Sequence, residues 1–113
     1  MTTLLAFHGK RIVKSFYLKR LRKHREANHL TQGVGWESNG KTRGCGIGCT
    51  LEAYEHKRYP VELGIPETVA YLEDAIFEGL PRAEAMEWPQ AFLKAPKVGA
   101  DLELIWLASR CGF

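Results

Sequence analysis

The sequence predicts an all-α, or nearly all-α, small single domain over residues 1–113, with about five short to medium helices and a long Gly- and Cys-containing loop after the first. Three observations carry this. From Lys10 to Asn28 there is neither Gly nor Pro and good helix formers dominate. Gly64-Ile65-Pro66-Glu67 supplies a breaker, then Pro and an acid at the first helical positions, while Gly79 and Pro81 supply a stop. Between these two segments, residues 31–49 hold six glycines and show neither helical nor strand periodicity.

The elements follow in order. Residues 2–8 are short and apolar and are expected to be an extended lead-in or brief strand. In the first helix, a turn of about 100° per residue puts Val13, Phe16, Tyr17, Leu21 and Ala27 on one side and Arg11, Arg22, Arg25 and His29 on the other. His24 falls near the middle of the apolar side and is expected to pack against the Gly- and Cys-containing loop. Thr50 is expected to cap a short second helix that ends before Pro60. A third helix carries the stripe Val69, Leu72, Ile76 and Leu80. Pro89 is expected to split residues 82–95 into two helices, about 82–88 and 89–95. Asp101 is expected to cap a last helix through Leu102, Leu104, Ile105 and Leu107.

The chain has 113 residues, 45% hydrophobic and 26% charged, which is ordinary globular usage and gives a disordered or low-complexity reading little support. No apolar run reaches the roughly eighteen residues that cross a bilayer, and residues 1–8 are short for a signal peptide. A cytoplasmic protein without a membrane association is therefore expected. Three cysteines, an odd number, argue against a secreted disulfide scaffold. The formal charge is +3, yet Lys10, Arg11, Lys14, Lys19, Arg20, Arg22, Lys23 and Arg25 gather half of the 16 Lys and Arg on the first helix. Such a basic pole suits phosphates, an acidic protein, or the acidic half of the same fold.

Two thiols in a glycine-rich loop leave three readings open. Cys45 and Cys49 with His24 and His56 have the donor types of a tetrahedral zinc site, although the histidines are isolated from one another. Alternatively Cys49, at the start of the helix near Thr50, is a nucleophile with its pKa lowered by the helix terminus, His24 is its base, and Gly46 and Gly48 expose N–H groups to an oxyanion. In the third reading both cysteines are small buried groups that pin the loop, His24 bonds the loop backbone, and the glycines adopt positive φ. The glycines match neither GxxxxGK[ST] nor GxGxxG, so a nucleotide cradle is not expected. Arg11, Lys14, Arg22 and Arg25 are the candidate binding residues, for phosphate contact without sequence-specific reading, because a loop of about twenty residues rather than a tight turn follows the basic helix. Trp36, Trp88 and Trp106 read as core anchors.

Taken together, Gly33–Trp36, Gly44–Thr50 (GCGIGCT), Glu62–Pro66 (ELGIP), Leu72-Glu73-Asp74 and Ile76–Pro81 (IFEGLP) resemble a family of hypothetical proteins from bacterial and phage genomes, over about Phe7–Trp106. The resemblance implies no reaction. Family members continue past the segment matching Asp101–Trp106 with further helices, so it implies a C-terminally shortened form whose exposed apolar patch favours a partner or self-association. Members often carry histidine where this chain has Glu52, which leaves His56 as the histidine of that segment and weakens a metal site there. The leading expectation is a small phage- or mobile-element-type binding protein that occupies a host protein or nucleic-acid complex, anti-defence inhibitors being one such class. A zinc-binding or thiol-dependent protein centred on Cys45, Cys49, His24 and His56 is the alternative.

Overall fold

The computed structural model describes residues 4–102. The expected last helix falls almost wholly outside them, as do Trp106 and Cys111. Among the described residues five helices and one two-stranded hairpin form a mostly helical domain: α1 (Arg11–Glu26), β1 (Trp36–Glu37), β2 (Arg43–Gly44), α2 (Gly46–Leu51), α3 (Arg58–Leu63), α4 (Glu67–Gly79) and α5 (Arg82–Lys94). No helix among them is long and apolar enough to cross a membrane.

The chain enters through a 3₁₀ turn at Ala6–Gly9 rather than a strand, with Phe7 and His8 at φ 56 and 54. Phe7 is driven into the core, and burial of an aromatic side chain offsets the left-handed backbone. The extended Lys10 then opens α1.

In α1 the buried positions are Tyr17 and Leu21, one turn apart, with Val13 and Leu18 partly buried beside them. The expected apolar face is thus rotated: Phe16 is 52% exposed and Ala27 faces solvent. Lys23, His24 and Arg25 occupy the last turn, where cations suit the helix dipole. Asn28 ends the run at φ 62, the left-handed position a helix terminus favours.

The long loop holds a short hairpin that its residue pattern, without strand periodicity, does not predict. Trp36 pairs with Gly44 and Glu37 with Arg43 in an antiparallel hairpin, and a parallel bridge joins Leu30 to Gly44. Close approach explains Gly48, since a Cβ there would collide with the Gly35 carbonyl oxygen. Gly46 and Gly48 are not at positive φ, so the expected reason for these glycines was wrong.

The second helix begins earlier than expected. Cys45 is its N-cap, with Sγ accepting the Gly48 N–H at 3.5 Å. Thr50 lies inside the helix and donates its hydroxyl to the Gly46 carbonyl at 2.7 Å. α2 ends at Leu51, before Pro60 as expected, and Pro60 itself stands in the first turn of a further helix, α3, where backbone N–H groups have no intrahelical acceptor. Gly64 closes α3 at φ 67.

The third predicted helix is present as α4, but its buried face is Ala70, Glu73 and Phe77, and Leu72 is 37% exposed. An acid at the core-facing position hides this stripe from a hydrophobic pattern. The Tyr59 hydroxyl donates to Glu73 Oε1 at 2.8 Å, while Oε2 is buried without a partner among the described residues. Burial raises the Glu73 carboxyl to about 8.

Residues 82–94 form one helix, not two. Pro89 can give no hydrogen bond to the Ala85 carbonyl, which favours a break. Packing overrides this: Pro89 is buried against Gly46, where a Cβ would lie 3.0 Å from its ring. Around this contact α2 lies between α1, α4 and α5, and Leu21, Ile47, Tyr59, Leu63, Phe77 and Leu93 fill the core.

Candidate functional site

Phe16, Lys19, Arg20, Lys23 and His24 stand at i, i+3, i+4, i+7 and i+8 on α1 and so share one helical face. With Glu52, just beyond α2, they line a groove of about 510 Å³. Lys19 and Lys23 are exposed and make no ion pair with a described residue. Lys19, Arg20 and Lys23 thus bring three cationic side chains to one open groove, with the Glu52 carboxylate beside Arg20.

Arg20 is the oriented member. Its guanidinium lies 4.7 Å from the Phe16 ring centre and 5.6 Å from that of Tyr17. It donates to the Thr50 carbonyl at 3.2 Å and stands 3.9 Å from Glu52 Oε1. These contacts fix the guanidinium plane against the aromatic face.

A hydrogen-bonded chain runs inward from Glu52 and His24. Glu52 Oε2 is 2.9 Å from His24 Nε2, and His24 Nδ1 is 2.7 Å from His29 Nδ1. The Trp36 ring meets His24 edge-on at 5.4 Å between centres. Because a carboxylate only accepts, His24 Nε2 carries hydrogen. In neutral rings His24 Nδ1 then accepts from His29 Nδ1–H. Glu52 holds this position at φ 58, a left-handed conformation that costs a non-glycine residue about 1 kcal/mol or more.

The structure separates the four basic residues singled out from the sequence. Lys14 donates to the Lys94 and Pro96 carbonyls at 2.8 and 2.7 Å, so it caps the end of α5 instead of facing a partner. Arg25 pairs with Glu87 at 2.6 Å, the acidic half of the same fold. Arg11 and Arg22 are exposed and lie outside the groove. Phe16, Lys19, Arg20, Lys23 and Glu52 were missed as a set; the i, i+3, i+4, i+7 spacing of the first four was the available signal, masked by basic residues on every side of the helix.

Neither chemical constellation expected around the cysteines is assembled. Cys45 and Cys49 are free and buried, with Sγ of Cys49 donating to the Gly44 carbonyl at 3.4 Å and that of Cys45 facing the Gly35 carbonyl at 3.7 Å. Burial pushes both thiols up to about 12, opposite to the lowered value expected for Cys49. His24 bonds Glu52 and His29, not the loop backbone. His56 bonds Asp74 at 2.8 Å and stacks on Tyr71 with 3.9 Å between ring centres. Among the described residues no three of His, Cys, Asp and Glu are grouped to hold a metal ion.

Comparison with family models, curated proteins and solved structures gave no match. No residue role is therefore carried over from a relative.

Proposed function

We propose that this protein acts by binding rather than turnover and that its α1 groove engages the phosphate backbone of a nucleic acid. The observation that supports this is Lys19 and Lys23, one turn apart and without ion-pair partners among the described residues, beside the fixed guanidinium of Arg20. Phosphate recognition by Lys and Arg needs no further chemistry, since counterion release supplies the affinity. The two free thiols suit a reducing compartment, and the site of action in this reading is the cytoplasm.

The test is binding of a fluorescein-labelled mixed-sequence nucleic acid to the full chain as a function of salt. Lys19→Gln combined with Lys23→Gln should weaken binding and lower the slope of log K against log salt by about 2. Arg11→Gln combined with Arg22→Gln should leave affinity within about threefold, because solitary surface charges outside the groove make only screened, long-range contributions. Absence of binding at low salt, or equal losses from the two pairs, overturns the reading.

A further inference from the structure

We infer that the partner of the α1 groove is an unpaired strand, with phosphates on Lys19 and Lys23 and a base against Phe16. This rests on the phosphate-binding reading above and specifies its ligand. Phe16 stands between two different surfaces. On one side is the cationic groove; on the other is a hollow of about 300 Å³ lined by Ile12, Val13, Phe16, Tyr17 and Glu62. Ile12 is 76% exposed and Phe16 52%, so α1 turns apolar surface outward beside its cations. The buried residues of the helix are Tyr17 and Leu21.

The two classes of nucleic acid use such a surface differently. A duplex presents phosphates and hides the faces of its bases, so it would satisfy Lys19 and Lys23 and leave Phe16 and Ile12 wet. An unpaired strand presents phosphates and flat apolar bases together. Aromatic side chains receive those bases irrespective of sequence, and an arginine plane adds to the stack. Phe16 has both attributes: its ring meets Tyr17 edge-on at 5.0 Å and carries the Arg20 guanidinium over its face. The Arg20 charge is partly offset by Glu52 at 3.9 Å, so its contribution is a planar surface more than a phosphate contact. An acidic peptide would use the same cations, but it offers an aromatic face only where its sequence supplies one, whereas every nucleotide of an unpaired strand carries a base beside its phosphate.

Fluorescence anisotropy with the full chain at low salt separates the cases, using a labelled oligo(dT) of about 12 nucleotides and a mixed-sequence duplex of equal length. The single strand should bind at least about tenfold tighter than the duplex. Phe16→Ala should weaken the single strand by about 5- to 100-fold and leave the duplex within about twofold, whereas Phe16→Tyr should retain the preference. Far-ultraviolet circular dichroism and urea midpoints establish that each variant is folded. Duplex binding as tight as single-strand binding, or equal losses of both in Phe16→Ala, overturns this inference while leaving a phosphate-binding groove intact. Binding of neither oligonucleotide overturns both readings. Tighter binding to polyglutamate or to phosphatidylserine vesicles than to oligo(dT) assigns the surface to another partner and overturns both.

Discussion

His24 and His29 face each other through their Nδ1 atoms at 2.7 Å, five residues apart across the end of α1. One nitrogen of such a pair must carry hydrogen and the other a lone pair. Glu52 decides which, because its carboxylate takes the Nε2–H of His24. Neutral His29 is consequently expected as the Nδ1–H tautomer, which long-range ¹H–¹⁵N correlation spectra read directly; an Nε2–H tautomer would contradict the chain. Replacing His29 with Ala leaves the part-buried His24 Nδ1 without its partner and should cost about 1–2 kcal/mol in urea unfolding.

Glu73 should make stability depend on pH. Its folded value of about 8 lies above its ordinary 4.5, so between these values the folded chain keeps a proton that the unfolded chain releases. The contribution is complete below about 4.5, declines as pH rises through that window and is lost above about 8. The urea midpoint should therefore fall from pH 5 to pH 8.5, by a free energy on the order of a few kcal/mol. Glu73→Gln, which keeps the hydrogen bond from Tyr59, should flatten this dependence; an unchanged slope would show that another group is responsible.

Lys14 carries a structural charge. Its two bonds to the Lys94 and Pro96 carbonyls close α5 onto α1. Lys14→Met should lower stability by about 1–2 kcal/mol. Nucleic-acid affinity should stay within about threefold. Loss of affinity without loss of stability would return Lys14 to the binding surface.

The buried thiols should be inert. In a Cys111→Ser variant, Cys45 and Cys49 should react with iodoacetamide at neutral pH on the order of a hundredfold or more slower than free cysteine, in keeping with values near 12. Labelling should become fast only in unfolding urea. Rapid labelling of the folded chain, slowed by His24→Ala, would instead revive a thiol-dependent activity.

How much of this was legible beforehand varied with the range of the interaction involved. α1 and α4 were readable because their limits are set by local chemistry: a long run without Gly or Pro, an acid after Pro66, and Gly79 before Pro81. The start of α2 was not, because Cys45 as an N-cap depends on Sγ reaching the Gly48 N–H, and Thr50 is an equally good cap on paper. The basic helix was visible as a composition. Which of its cations are available was not, since Lys14 is spent on carbonyls 80 and 82 residues away and Arg25 on an acid 62 residues away.

The sequence by itself determined a mostly helical domain, a basic first helix and a Gly- and Cys-containing segment between helices, because helix propensity, breakers and charge act within a few residues. Only the tertiary structure decided that Pro89 continues a helix, that Glu73 is buried, and that Phe16, Lys19, Arg20 and Lys23 form the open face. Each of those outcomes is settled by contacts between residues far apart in the chain: Pro89 with Gly46, Glu73 with Tyr59, Arg20 with Thr50 and Glu52. Packing free energy at such contacts outweighs the roughly 1–3 kcal/mol of local preference it opposes.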